Sequence, residues 1–359
     1  MITFDSSKVI QDLTVLLSTL KYSKEQPLAP YTTVKIGGPA ELLLETTSSH
    51  ELQLVLEYAQ QARIPYTILG WGANTLIADV GIRGITIINK SNRFKIFSES
   101  KPQSQTNSVV NSRWNEVEAK SDDFFNYYTG KEASVLVEFD SGTPLPYAIN
   151  QMLNLQLTGL EWFSRIPATI GGAIYNNIHG GSHFISEQVC AVSVLTAHGQ
   201  YQVLQPSELE FSYDYSRFHH TKEVILSAQL MLYKGDFEQA KKAAIEWAKK
   251  KQQQPQNSLG CVFQNLSQDE KQRLGLPTTS VGYLIDKFLH LAGFQIGGAQ
   301  ISKRHAAFIE NIGGATANDY LAIIRHIQSI AQKECQIMLK PEIFFRGFEP
   351  NEISGIVIA

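Results

Sequence analysis

Three glycine-bearing turns carry the clearest chemical potential in this chain. The first is Tyr31-Thr32-Thr33-Val34-Lys35-Ile36-Gly37-Gly38, and the second is Leu69-Gly70-Trp71-Gly72-Ala73-Asn74-Thr75. The third is Arg165-Ile166-Pro167-Ala168-Thr169-Ile170-Gly171-Gly172-Ala173. Glycine permits positive φ and close backbone approach, so successive N–H groups in such turns can converge on a pyrophosphate. Asn74 and the threonines add side-chain donors. Taken singly, each turn also reads as an ordinary tight turn. None is a G-x-G-x-x-G on a βαβ unit and none is a P-loop, so neither the Rossmann nor the NTPase reading is supported. The three cysteines, Cys190, Cys261 and Cys335, show no C-x-x-C and no clustering with histidine, which argues against a disulfide framework or a zinc site. His179 and His183 flank a Gly-Gly-Ser segment without further ligands, too few for a metal.

The elements that must position these turns follow from periodicity. Residues 1–25 read as a short amphipathic helix with Val9, Leu13, Leu16, Leu17 and Leu20 in phase. Ala40–Thr46, Pro65–Leu69 and Gly84–Asn89 read as strands around a helix at His50–Ala62, a small α+β unit. Residues 98–132 are rich in Ser, Asn and Gln and read as a polar surface insertion, closed by Phe124, Phe125, Tyr127 and Tyr128. Strands return at 134–142, 191–197 and 223–232, with a helix at Pro146–Leu157 between them. A helix over 235–252 ends in a Gln-rich linker. After it come a strand at 260–265, a helix at 281–293, a strand at 306–311, a helix capped by Thr316 or Asn318, and a last strand at 341–348.

The whole chain sets broad bounds. Its 359 residues favour two or three domains, and 43% hydrophobic with 18% charged residues is an ordinary globular balance. A net charge of -3 leaves no basic field for nucleic acid, and Lys249-Lys250-Lys251 reads as a solvated helix end. No apolar run is long enough to span a membrane, no cleavable leader is visible, and the sparse cysteines suit a reducing compartment. The expectation is a cytoplasmic protein.

Three such turns in this order resemble the UDP-N-acetylmuramate dehydrogenase family, also called UDP-N-acetylenolpyruvoylglucosamine reductase. Thr33–Gly38 is similar to the family's "T-x-x-x-GG", Gly70–Asn74 to "LG-x-G-S-N", and Ile166–Asn177 to "IPG-x-IGGA-x-x-N-x-G". Further on, Gly260-Cys261-Val262-Phe263-Gln264-Asn265 resembles "G-S-[FV]-F-[KQ]-N", residues 283–311 resemble the "LID…IGGA…HA-x-F" block, and Lys340-Pro341-Glu342-Ile343 resembles "x-PEV". The resemblance covers about residues 25–348.

The resemblance implies an α+β fold: a bipartite FAD-binding domain of the PCMH/vanillyl-alcohol-oxidase type plus a C-terminal α+β substrate-binding domain. The expected division is 1–95 and 96–233 for the two FAD subdomains, 234–340 for the substrate domain, and 341–359 for a terminal strand and tail. It implies non-covalent FAD, NADPH as co-substrate, and a UDP-linked enolpyruvyl sugar reduced in peptidoglycan precursor synthesis. Cofactor contacts then fall on Thr33, Gly37, Gly38, Gly70, Gly72, Ala73, Asn74, Thr75, Pro167, Thr169, Ile170, Gly171, Gly172 and Asn176. Cys261 takes the slot of a serine proton donor, Glu342 that of a catalytic glutamate, and Tyr213, Arg217 and Asn265 fall to substrate. A thiol of ordinary pKa near 8.5 is mostly protonated at neutral pH and is a better acid than a serine hydroxyl.

The chain departs from the family at several points. In the segment resembling "F-x-YR-x-S", Asp214 occupies the arginine slot, with Arg217 three residues on. Gln253 stands where "R-x-x-KQP" places a lysine, with Lys250 and Lys251 as neighbouring lysines, and His179-Gly180-Gly181 differs from the common "GAYG". Asp214 keeps open a paralogue that binds FAD with impaired or different turnover; a separate alternative, another oxidoreductase on the same flavin fold, is opposed by the Gly260–Asn265 segment and Glu342.

Overall fold

The computed structural model describes residues 4–97, 133–181 and 183–356. The expected insertion at 98–132, with Phe124, Phe125, Tyr127 and Tyr128, lies outside the described residues, as does Ser182. The fold is α+β and is organised around three sheets.

The first sheet orders its strands Lys21–Pro27, Pro39–Thr46, Ile82–Asn89, Tyr66–Leu69. Pro39–Thr46 and Ile82–Asn89 run parallel, with registers Leu43↔Thr86 and Leu44↔Ile87. A parallel pair needs a crossover, supplied in part by the helix Ser49–Gln61. Ser48 caps that helix by accepting from the Glu51 N–H. Its buried face is Leu52, Val55, Leu56 and Ala59, which pack on Leu42, Leu44, Ile85 and Ile87.

The amphipathic reading of residues 1–25 is correct only in its first half. The helix is Ser6–Leu16, capped by Asp5, and Lys21–Pro27 is an antiparallel edge strand. The strand was hidden because its residues are largely exposed on both faces, so no two-residue alternation marks it. Ladder bonds, not burial, define it.

The second sheet is antiparallel in the order Tyr201–Leu204, Val189–Leu195, Val224–Lys234, Ala133–Asp140, Phe94–Ile96. One face is covered by the helix Leu145–Asn154 and by Trp247 of the helix Phe237–Gln252. The third sheet orders Ser258–Cys261, Phe308–Asn311, Ala299–Ile301, Gln295–Ile296 and packs on the long helix Ala317–Cys335. Thr316, not Asn318, caps that helix, accepting from the Asp319 N–H at 3.0 Å.

Two expectations near the third sheet were too long. The strand expected over 260–265 joins the third sheet only to Cys261, and Phe263 then forms an isolated bridge with Pro341. The helix expected over 281–293 is a short α turn, Val281–Tyr283, widened at Leu284–Phe288 into a π turn, and His290 then leaves helical space at φ 54. Such wide turns are rare and commonly sit beside functional sites.

The first glycine turn is welded to the C-terminal region. Val34, Ile36 and Leu76 belong to the same apolar cluster as Phe263, Tyr320 and Ile324. Thr33 Oγ1 donates to the Ser258 carbonyl at 2.7 Å, and the Asn311 amide donates to the Val34 carbonyl at 3.0 Å. The Asp79 carboxylate accepts from Ala317 N at 2.8 Å and Asn318 N at 3.1 Å, which satisfies the orphan N–H groups of the long helix.

Candidate active site

The second turn lies between two regions. On one side, Thr33, Gly70 and Trp71 line a cavity of about 460 Å³ together with Asn89, Lys90, Gly142 and Pro144. That volume falls in the ordinary range of small-molecule sites. On the other side, the Asn74 amide donates to the Glu342 carbonyl at 3.0 Å, and Phe344 N donates to the Asn74 carbonyl at 2.9 Å. Thr75–Ile77 then pairs in parallel with Phe344–Arg346. Asn74 therefore spends its amide on fixing the segment that carries Glu342, a role its type alone did not disclose.

The glycines of the turns are fitted to their neighbours. A Cβ on Gly70 would stand 2.9 Å from Thr169 Oγ1, and one on Gly171 would stand 2.9 Å from Ser141 Cβ. Gly72 has φ +54, and a Cβ there would meet the Tyr31 carbonyl oxygen at 2.5 Å. The second and third turns thus touch each other, with Thr169 Oγ1 also capping Gly172 N at 3.1 Å. Gly72→Ala should cost about 1–3 kcal/mol through strain at positive φ and lower flavin retention. Thermal midpoint and the flavin-to-protein ratio of the purified variant check this.

The other expected cofactor residues are placed differently. Gly37 and Gly38 pack against Leu28, Ala29, Asp79 and Gly81 rather than lining the cavity. Ile170 is core, Pro167 is exposed, and Asn176 ends the helix Ile170–Tyr175. Ala73 and Thr75 sit on the link to Glu342. Sequence reasoning missed Trp71, Asn89, Lys90, Gly142 and Pro144 as lining groups. Asn89 is signalled only by a polar residue closing the apolar run GITIIN. Its amide donates to Ser141 Oγ at 2.9 Å, and Ser91 Oγ donates back to Asn89 Oδ1 at 2.7 Å, so a polar network shapes that wall.

Cys261 and Glu342 come together through backbone. Glu342 N donates to the Val262 carbonyl at 2.9 Å, Gln264 N donates to the Lys340 carbonyl at 2.9 Å, and Phe263 bridges Pro341. Two segments some eighty residues apart are thus held edge to edge. Around them stand Tyr213, Asp214, His179 and Lys251, each half-buried, as are Cys261 and Glu342.

Tyr213 and Asp214 are the central residues of a tight turn. Ser212 N donates to the Tyr215 carbonyl at 3.1 Å, and Tyr215 N donates to the Ser212 carbonyl at 3.3 Å. Asp214 has φ 48, a conformation that aspartate tolerates better than a long side chain. The turn is docked by Asn177, whose amide donates to the Ser212 carbonyl at 2.7 Å, and by Ser216, whose hydroxyl donates to the Tyr175 carbonyl at 2.6 Å.

Arg217 is not brought to this group. Its guanidinium forks onto Glu223, at 3.0 Å to each carboxylate oxygen, and onto the Glu208 carbonyl at 3.0 Å. The bidentate pair with the Glu223 carboxylate holds the guanidinium there. The cation is Lys251 instead, whose charge is felt at Asp214, Cys261, His179 and His305. Gln253, in the lysine slot, is exposed. Asn265 does two things: its Oδ1 accepts from Val281 N at 3.1 Å, and its side chain hydrogen-bonds Tyr213.

The electrostatics follow from desolvation. Burial first, and the Glu342 charge second, push the Cys261 thiol up, while Lys251 pulls it down. Burial and then Asp214 hold Glu342 well above the usual carboxylate range. Burial pushes Asp214 up to about 7 against the Tyr213 hydrogen bond and the Lys251 charge. Burial, then the charges of Asp214, Glu342 and Cys261, raise the Tyr213 hydroxyl. Burial thus favours the protonated forms of both Cys261 and Glu342.

A stability prediction follows. The folded chain keeps a proton on Asp214 that the unfolded chain releases above its ordinary 3.8. That contribution is full below 3.8, is lost as pH rises towards about 7, and is flat above. Thermal midpoints measured from about pH 5 to 8 should fall less steeply in Asp214→Asn than in the wild type.

Residues 40–205 match the family model described as FAD binding domain, and residues 252–345 match the one described as UDP-N-acetylenolpyruvoylglucosamine reductase, C-terminal domain. A UDP-N-acetylenolpyruvoylglucosamine reductase of Pediococcus pentosaceus is 32% identical over 332 residues, covering 91% of this chain and 94% of the relative. One from Caldanaerobacter subterraneus is 30% identical over 345 residues, covering 94% and 98%. The crystal structure of UDP-N-acetylenolpyruvylglucosamine reductase from Thermus caldophilus superposes with a TM-score of 0.64 at 26% identity, covering 91% of this chain and 98% of that one. No helix among the described residues is long and apolar enough to cross a membrane.

Proposed function

Because the chain belongs to the UDP-N-acetylenolpyruvoylglucosamine reductase family, we propose that it reduces the enolpyruvyl group of a UDP-linked N-acetylglucosamine, using NADPH and non-covalent FAD. The observation that carries this is the backbone tie that sets Cys261 beside Glu342 and fastens both to the second glycine turn.

The residues fit a flavin dinucleotide. The three turns contact one another only because they carry glycine, and the cavity beside them has Lys35, Lys90 and Asn89 at its walls. Thr33, Gly70 and Trp71 would hold the group there. When bound, FAD supplies the hydride that NADPH has delivered to it.

The protein's own part is to manage charge and one proton. Hydride addition leaves negative charge spread next to the substrate carboxylate. Glu342, kept neutral, donates a hydrogen bond to that charge, and Lys251 supplies the positive field that Arg217 does not. Cys261 then gives its proton to the carbon beside the carboxylate: the S–H bond breaks, a C–H bond forms, and the sulfur is left as thiolate. Tyr213, steadied by Asn265, lies among these groups as a substrate contact. The expected division of the chain into two FAD subdomains and a substrate unit fits the separate apolar clusters, with the first turn shared across the boundary. A cytoplasmic location fits the three unpaired cysteines.

The experiment is spectroscopic. Purified protein should be yellow, be bleached by NADPH, and regain colour when the enolpyruvyl UDP-sugar is added. Protein that stays colourless after incubation with FAD sinks the flavin reading. Yellow protein whose bleaching the sugar nucleotide does not reverse leaves an FAD-binding paralogue.

A further inference from the structure

Two departures from the family pattern meet in space. Asp214 stands in the arginine slot, and His179 stands in the segment after the third turn. His179 Nε2 lies 3.7 Å from Asp214 Oδ1, and the imidazole is 5.4 Å from the Tyr213 ring, centre to centre. Their side chains keep 27% and 22% of their surface open. The bonds from Asn177 and Ser216 that dock the Tyr213–Asp214 turn onto the end of the helix Ile170–Tyr175 bring the two together.

The reaction leaves a task for them. Once Cys261 has given up its proton, a thiolate remains in a desolvated site beside Glu342, and every later turnover needs that proton back. We propose that His179 and Asp214 form a relay that returns a proton from solvent to the Cys261 sulfur after each turnover. This rests on the reductase reading above. In the return step the Asp214 O–H bond breaks and the Cys261 S–H bond forms. To reload, His179 first takes a proton from water or buffer at Nδ1 and becomes imidazolium, and the Asp214 carboxylate then takes the Nε2 proton, leaving the ring neutral. Each electron pair stays on the atom that loses the proton, so nothing is oxidised or reduced. The 3.7 Å gap is spanned by one water or a small rotation of the imidazole.

The order of proton affinities supports this direction. Burial and the Lys251 charge push His179 down to about 4, and Asp214 stands at about 7. The Cys261 thiol is higher still, raised by burial, Glu342 and Asp214. A proton entering at the imidazole therefore runs downhill in free energy at each transfer. The charged and titratable groups facing Asp214 are Tyr213 from its own turn, His179, Lys251, Glu342 and Cys261; those facing His179 are Asp214, Tyr213 and Lys251. Asp214 and His179 act through Cys261 and set its protonation without touching substrate.

Rapid mixing of pre-reduced holoenzyme with the enolpyruvyl UDP-sugar separates the first turnover from those that follow. In His179→Gln the first reoxidation of flavin should stay within about twofold of wild type, because Cys261 starts loaded; Asp214→Asn, which also changes the field at Glu342, is read in the steady state. The steady-state rate should fall by about a hundredfold, and imidazole buffer should restore part of it in His179→Gln. A first turnover slowed as much as the steady state would overturn the relay, as would a steady-state rate unchanged in both variants. Wild-type flavin that the sugar nucleotide does not reoxidise would instead count against the reductase reading itself.

Discussion

Replacing Cys261 by alanine should cut turnover of the enolpyruvyl substrate by about two to four orders of magnitude while NADPH still bleaches the flavin at the wild-type rate. The split follows from where the thiol sits. Cys261 closes the strand Ser258–Cys261 and faces Glu342 across a backbone pairing, whereas the glycine turns that would hold the cofactor are built from other segments. A cysteine that only filled a core gap would give a different result: a loss of stability with both half-reactions equally affected. Cys261→Ser should recover part of the activity, since a hydroxyl can occupy the same position, but as a weaker acid. The thiol should also resist alkylation at pH values where a free cysteine reacts. Its pKa is raised by burial and by Glu342, so little thiolate is present to attack. Stopped-flow traces of the two half-reactions and a timed iodoacetamide titration test both statements.

What was legible in the sequence depended on whether the signal was local. The helices Ser49–Gln61 and Ala317–Cys335 announced themselves by apolar spacing and capping residues. The edge strand Lys21–Pro27 did not, because its definition comes from partners in Pro39–Thr46 and not from its own pattern. At the site, Cys261 and Glu342 were readable as motif positions, yet their adjacency is a long-range pairing that no spacing encodes. Arg217 follows the arginine slot by three residues, but Glu223, six residues further on, engages its guanidinium, and no local pattern marks that pairing. Lys251 was within reach of the sequence: Ala240, Ala244 and Trp247 mark the buried stripe of the helix Phe237–Gln252, and four residues beyond Trp247 the stripe arrives at Lys251. Lys249 and Lys250 fall off that stripe and are exposed. Reading the run Lys249–Lys251 as one solvated end overlooked the helical phase within it.

Glu342 gives the second large effect, and its variants separate charge from hydrogen bonding. Glu342→Ala should lower the first-turnover rate by about 10²–10³-fold, the usual cost of losing one donor to a developing oxyanion. Glu342→Gln should lose much less, because burial and Asp214 favour the protonated native carboxyl and an amide still donates. The backbone would keep either variant in place: Glu342 N is bonded to the Val262 carbonyl and the Glu342 carbonyl to Asn74, whatever the side chain. The pH dependence has a definite sign. Burial and the neighbouring Asp214 raise the Glu342 pKa, so the protonated, donating form exists below that raised value and is lost as pH climbs through it. The wild-type first-turnover rate should therefore decline at the alkaline end, and Glu342→Gln, which has no proton to lose, should flatten that limb. The single-turnover measurement matters because Asp214 titrates at about 7 in the same site and would add its own limb to a steady-state profile. An alkaline limb that persists unchanged in Glu342→Gln would mean that the titrating group is Cys261, and that Glu342 acts in this site only as a spacer.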